Sequence, residues 1–311
     1  MNEVHDTPAP AEAALRPARL SVGVLGSGRV GAILGAALAR AGHRIVAASG
    51  VSKASRERAA ELLGLEVCDP LAVAAAAELL LLAVPDDALP GLVAGLAEAG
   101  AVRPGTLVAH TSGRYGTAVL DPLTRGGALP LALHPVMTFT GTAVDLARLS
   151  GACFGITAPD PLRPVAEALV VEMGADPQWV AEEHRVLYHA ALASGANHLV
   201  TLVAQSADLL RTAGVAEPNR LLGPLLSAAL DNALRSGDAA LTGPVSRGDA
   251  GTVAAHVETI ARQSPQAAAA YVAMARLTAD RALAAGRLRT DRAEALLDVL
   301  SDVHPFSGGA Q

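Results

Sequence analysis

Cysteine, lysine and aromatic side chains are all scarce in this sequence. Of 311 residues only two are cysteine, Cys68 and Cys153, one is lysine, and 2% are aromatic. The two cysteines stand far apart without a metal-ligand spacing, which excludes a disulfide framework, offers no metal site and fits a reducing, cytoplasmic setting. A net charge of -6 with a pI near 5.8 leaves no broad basic field for nucleic-acid phosphates or an anionic membrane, so a small-molecule substrate is expected. With 51% hydrophobic residues and so few rings, the core must be Ala, Leu and Val, which favours closely packed helices over a β-sandwich. The first nineteen residues lack both a basic start and an apolar run, and read as a loose tail rather than a signal peptide. The most apolar stretch, 71–85, is interrupted by Glu78 and ends at Pro85, too short for a membrane span.

What is present is an alternation. An apolar run at 20–25 ends in a glycine-rich turn, an Ala/Leu segment at 32–41 closes at Gly42, and a second apolar run follows at 45–48, giving strand, turn, helix and strand in order. Further runs at 79–84, 106–109, 131–133 and 153–157 predict an α/β domain with a doubly wound, mainly parallel sheet over residues 20–160. Beyond it, Ala/Leu-rich segments at 183–213, 218–235, 249–262 and 265–285 predict an all-α domain over 161–311.

The first turn reads Gly26-Ser27-Gly28-Arg29-Val30-Gly31. A GxGxxG run between a strand and a helix fits a dinucleotide pyrophosphate: Gly26 for the tight turn, Gly28 for close backbone approach, Gly31 for packing helix on strand. After the second strand no acid stands where a ribose hydroxyl would need one; Ser52, Lys53, Ser55 and Arg56 stand there instead. Those cations and hydroxyls suit a 2′-phosphate, so NADP is expected over NAD. Val84 and Pro85 end a strand at the same carboxyl edge and are expected to border the cofactor; Asp86 and Asp87 after them read as caps of the next helix.

Candidate chemistry follows in four places. Ser112 and Gly113 come just past a strand and can hold a substrate carboxylate or simply turn the chain. His134 sits at a strand end before Pro135, as a donor to substrate or as a structural imidazole. His189, Ala193 and Asn197 share a helix face, with His189 placed to act as a general acid and Asn197 to orient a carbonyl, or both bonded between helices. Thr242, Gly243 and Arg247 form a turn-rich island where Arg247 can clamp a carboxylate, or pair with Asp249 while that residue caps the next helix.

Four segments, GVLGSGRVG, LALHPVMTF, YHAALASGANHL and LTGPVSRGD, carry a resemblance to Rossmann-like proteins with a C-terminal domain of unknown function, relatives of 6-phosphogluconate dehydrogenase and pyrroline-5-carboxylate reductase. The likeness covers about residues 20–285. It implies NADP-linked reduction, a helical domain that builds the substrate cleft, and a homodimer. Some such proteins look like alternative ketopantoate reductases, which makes a 2-oxo acid the expected substrate. Many relatives place a catalytic lysine four residues before the asparagine; here that position is Ala193, and the single lysine is Lys53. Reduction of an imine therefore stands as an alternative, since it needs no proton after hydride transfer. LALHPVMTF also resembles an element of prephenate dehydrogenases, and a sensor or scaffold that binds the dinucleotide without turnover is the reading from another class.

Overall fold

The computed structural model describes residues 19–301; the tail expected at 1–19 lies outside them save for its last residue. Seven strands, β1 (Ser21–Leu25), β2 (Arg44–Ser49), β3 (Leu79–Leu82), β4 (Leu107–His110), β5 (Leu129–Pro135), β6 (Cys153–Thr157) and β7 (Asp176–Trp179), form one sheet in the order β2-β1-β3-β4-β5-β6-β7. The first five run parallel; β6 reverses against β5, and β7 runs parallel to β6. The helices of this part are α1 (Arg29–Arg40), α2 (Lys53–Arg58), α3 (Pro70–Ala76), α4 (Leu89–Glu98), α5 (Asp121–Thr124), α6 (Val144–Leu149) and α7 (Arg163–Glu172).

Side-chain alternation along each strand decides the layering. Val22, Val24, Leu79, Leu81, Ala109, Leu131, Leu133, Phe154 and Ile156 face α1 and α7. Leu25, Leu80, Leu82 and Val108 face the other way, onto α3 and α4. Both faces are thus covered, the doubly wound arrangement that the apolar runs predict. β7 was not foreseen: its sequence, Asp-Pro-Gln-Trp, carries no apolar run because it is an edge strand with half its residues exposed.

The remaining helices are α8 (Arg185–Thr212), α9 (Pro218–Ser236), α10 (Gly243–Arg247), α11 (Ala250–Gln263), α12 (Pro265–Ala284) and α13 (Thr290–Ser301). The chain divides into two compact units at Ser194/Gly195, inside α8. The expected boundary at 160/161 falls too early, because α7, β7 and the first turns of α8 belong with the sheet. In the second unit Val253, Val257, Val272, Ala275, Ala279, Leu296 and Leu300 form the core.

Glu182–Thr212 is long and apolar enough to cross a membrane by length and composition, and no residue of its most apolar window is buried. The sequence reading looked for such a stretch only at 71–85. Val186, Leu187 and Val200 are each more than two-thirds exposed on this helix, which also carries Arg185, His189 and Asn197.

Candidate active site

The glycine-rich turn has the geometry its spacing predicts. Gly26 has φ +96°, and a Cβ there would come within 2.5 Å of the Ala83 carbonyl oxygen. A Cβ on Gly31 would strike the Gly26 carbonyl oxygen, while one on Gly28 would meet nothing within 4 Å. Gly28 is the N-cap of α1, with no side-chain cap and no acid in the first turn. The helix N-terminus therefore opens its free N–H groups on empty space at the carboxyl edge, a fit for a pyrophosphate. Val84 lies beside it, its Cγ1 within 3.2 Å of a Cβ on Gly26, and Pro85 is the next residue of the chain. Val30 packs partly into the core behind the turn, and Arg29 is exposed.

The hydroxyls of this region are spent on the protein itself. Ser27 is fully buried and donates to the carbonyls of Ser49 (2.9 Å) and Ser55 (3.0 Å). Ser52 caps α2 by accepting from the Ser55 N–H, and the Ser55 hydroxyl returns 2.7 Å to the Ser52 carbonyl. The cations remain outside. Lys53 is 87% exposed, 3.7 Å from Glu57, and Arg56 Nη1 donates 2.6 Å to the Val51 carbonyl. Arg58, not foreseen, approaches Gly141 together with Arg29: a Cβ on that glycine would lie 2.7 Å from Arg58 Nε and 2.9 Å from Arg29 Cγ. The Gly141 loop is fixed by buried Asp145, which accepts from Gly141 N (2.7 Å), Thr140 N (2.8 Å) and Thr140 Oγ1 (3.0 Å). Burial raises the Asp145 pKa, but these donors and Arg148 outweigh it and hold the carboxyl below its ordinary value.

A second polar cluster stands on the other half of the same edge. His110 ends β4 with its side chain fully buried. Its Nδ1 accepts from Ser112 N (3.2 Å), which makes Nε2 the protonated nitrogen and the donor to the Gly116 carbonyl (2.8 Å). The Ser112 hydroxyl then accepts from Tyr115 N (3.3 Å), and Glu182 accepts from Thr117 N (2.7 Å). The loop carrying Ser112 and Gly113 is thus wound round a neutral imidazole. Burial drives the His110 pKa from 6.5 to about 4, against the pull of the Gly116 carbonyl.

Onto Gly113 two more rings close: a Cβ there would lie 2.6 Å from His189 Cδ2 and 3.0 Å from His134 Nε2. His134 and His189 meet edge to face with centroids 5.8 Å apart. On the far side His134 Nδ1 is 2.8 Å from the Tyr188 hydroxyl. Burial first, then the Arg185 and His189 charges, lower the His134 pKa to about 4 although Asp86 opposes them. His134 is therefore a neutral hydrogen-bond donor at neutral pH.

The structure thus brings Ser112, Gly113, His134 and His189 together within the first unit. Asn197, Thr242, Gly243 and Arg247 belong to the second unit. There Asn197, Thr242 and Arg247 are exposed, and Thr242 and Arg247 line a cavity of about 380 Å³ with Ser246 and Arg287. Asp249 caps α11 through Thr252 N (3.1 Å), as its spacing allows, and forms no ion pair with Arg247. Asp86 and Asp87 do not cap α4, whose N-cap is Ala88 without a side-chain bond; Asp86 is instead near enough to act on both His110 and His134. Sequence reading missed His110, Arg185 and Tyr188. The signal available was spacing, since Arg185, Tyr188 and His189 stand at i, i+3 and i+4 of one helix.

The first unit is a doubly wound α/β fold and the second a helical domain. A Rossmann-like domain model matches residues 6–135 and that of a domain of unknown function, DUF2520, matches 152–278, so the chain carries these two domains in succession. No curated protein matches it in sequence. Among solved structures it is similar to a Bacteroides fragilis protein provisionally described as an NADP oxidoreductase, at 22% identity and a TM-score of 0.70 over 84% of this chain and 98% of that one. It is also similar to an imine reductase from Pseudomonas sp. (18% identity, TM-score 0.61, 91% and 100% covered). A third is a reductive aminase from Aspergillus terreus in complex with NADPH and ethyl levulinate (18%, 0.59, 90% and 99%). At these identities the likeness is one of fold.

Proposed function

We propose that the chain is an NADP(H)-dependent oxidoreductase that reduces the C=O or C=N group of a small acid, a 2-oxo acid such as ketopantoate being the first substrate to try. One observation carries the reading: an open phosphate cradle at Gly28 and a neutral imidazole, His134, stand on one carboxyl edge of one sheet. Bound NADPH would supply the hydride. Gly26, Gly28 and Gly31 would hold its pyrophosphate, Lys53 and Arg56 its 2′-phosphate, with Arg58 and Arg29 close by, and Val84 and Pro85 would border it. His134 Nε2–H would donate to the acceptor atom of the substrate, Ser112 and Gly113 would line that place, and His189 would close it.

The architecture shared with an imine reductase and a reductive aminase favours the C=N alternative as the second reading. Titration of the protein with NADPH and NADH by nicotinamide fluorescence, then turnover with ketopantoate and with pyrroline-5-carboxylate, tests both. Tight NADPH binding with one substrate consumed is the expected result; binding without turnover of either would favour a non-catalytic sensor. The exposed apolar residues of α8 and α9, among them Leu187, Val200, Leu225 and Leu234, suit a second copy of the chain in a cytoplasmic homodimer. Sedimentation without detergent should give a dimer, and a monomer or a detergent requirement would contradict this.

A further inference from the structure

Arg185 is the largest fully buried side chain in the first unit, and its charge has no ion-pair partner among the described residues. Nη1 donates 3.2 Å to the Gly155 carbonyl, whereas Nε and Nη2 are buried without any hydrogen-bond partner. A buried, unpaired guanidinium costs several kcal/mol, roughly, and is ordinarily retained only beside a compensating anion. Its neighbour is the Tyr188 ring, whose centroid lies 5.7 Å from Arg185 Cζ. The Tyr188 hydroxyl is pressed against Gly155, where any Cβ would collide with it, and is 2.8 Å from His134 Nδ1. Gly155 is also the cross-strand partner of His134. One glycine therefore allows the tyrosine to approach and anchors the arginine behind it.

We propose that Arg185, Tyr188 and His134 form a proton relay, in which Tyr188 replaces the proton that His134 gives up and Arg185 holds the resulting phenolate. The anion missing from the resting structure is the one that the reaction creates. The proposal rests on the reductase reading above. Bound NADPH would supply a hydride to the substrate carbon and leave the π pair on the substrate oxygen, which takes the proton from His134 Nε2. The Nε2–H pair stays on the ring, the Tyr188 O–H bond breaks, and its proton joins Nδ1. No imidazolate forms. After product leaves, a water-derived proton on Nε2 and return of the Nδ1 proton to Tyr188 restore the start. An alkoxide is far more basic than a phenolate, so the transfer runs downhill even though burial raises the Tyr188 pKa, which the Arg185 charge opposes. The groups facing His134 are Arg185, Tyr188 and His189 from α8, His110 from β4 and Asp86 after β3; of these only Tyr188 is bonded to it.

The test uses the full-length protein, Tyr188→Phe and Arg185→Lys, with two independent readouts. In ¹⁵N spectra of the imidazoles, with His134 assigned from a His134→Asn sample, the wild type should show the Nε2–H tautomer. Tyr188→Phe should mix the tautomers, and Arg185→Lys, which keeps the charge, should not. With NADPH and a reducible substrate, Tyr188→Phe should lower kcat about 100-fold at unchanged NADPH Kd. An unchanged tautomer in Tyr188→Phe, or a kcat within twofold of wild type, would overturn the relay. If the wild type binds no NADPH, the reductase reading fails on that measurement alone, and the relay falls with it even where the tautomer behaves as described.

Discussion

Acid should loosen this protein chiefly through His110. In the folded chain its Nδ1 must stay unprotonated to accept from Ser112 N, and burial holds its pKa near 4 rather than 6.5. Because the folded value is depressed, the unfolded chain binds more protons between pH 6.5 and 4. The associated stability is fully present above pH 6.5, is lost progressively as pH falls through that window, and changes no further below about 4. A displacement from 6.5 to about 4, at about 1.4 kcal/mol per unit, amounts to roughly 3 kcal/mol, of which roughly 2 to 3 are lost by pH 4.5. His134, lowered to about 4 as well, adds to the loss, but it is partly exposed and its share is smaller. The measurement is urea unfolding at pH 7.5, 5.5 and 4.5 for the wild type and His110→Gln. Gln keeps a donor for the Gly116 carbonyl and forfeits the acceptor for Ser112 N, so it should cost about 1 to 3 kcal/mol at pH 7.5, with a visibly shallower decline towards pH 4.5. Equal declines for both proteins would show that His110 does not titrate in this window, and the reasoning would be wrong.

Gly113→Ala forces a methyl against His189 Cδ2 and His134 Nε2; kcat should fall 10-fold or more with NADPH affinity unchanged, as steady-state kinetics and fluorescence would show. Gly31→Val places a branched side chain against the Gly26 carbonyl and should abolish NADPH binding in the same titration. Asp145→Ala leaves the Thr140 and Gly141 donors without their acceptor, which should cost about 3 kcal/mol and lower the melting temperature by roughly 6 to 12 °C. Replacing Lys53 and Arg56 together by Ala should raise the NADPH Kd by about 10- to 100-fold and leave the NADH Kd within twofold, since one charge-assisted phosphate contact is worth about 1.5 to 3 kcal/mol.

The sheet and its glycine turn were legible because their signals are local. Apolar runs of strand length mark β1 to β6, and a glycine that only a positive φ or a close carbonyl explains, such as Gly26 or Gly31, is readable from spacing alone. β7 was invisible for the same reason: an edge strand buries little, so Asp-Pro-Gln-Trp shows no pattern. Ser52 and Ser55 read from the sequence as donors to a 2′-phosphate and Ser27 as part of the glycine-rich turn, but what their hydroxyls bond was not legible. The Ser27 and Ser55 hydroxyls turn to carbonyls at 49, 52 and 55 and that of Ser52 turns to Ser55, and which of two nearby acceptors a hydroxyl takes depends on backbone that sequence does not display.

The long helix α8 shows where such reading stops. On an Ala/Leu-rich segment every polar pair at helical spacing looks like a face, and His189 with Asn197 at i+8 is as good a face as Arg185, Tyr188 and His189 at i, i+3 and i+4. What decides between them is the sheet. The backs of His110, His134 and Gly155 share the face opposite the Leu131, Leu133, Phe154 and Ile156 side chains, and only a strand register can say so. Gly155 is the informative residue: it breaks an apolar run, Cys-Phe-Gly-Ile-Thr, that β propensity alone would fill with a branched side chain. A glycine inside a buried strand marks a close approach, here that of the Tyr188 hydroxyl, so the strand itself recorded that some polar group had to reach the sheet at that level. Gly155→Ala should on this argument displace Tyr188 from His134 Nδ1 and reproduce the Tyr188→Phe tautomer change while leaving the hydroxyl in the protein.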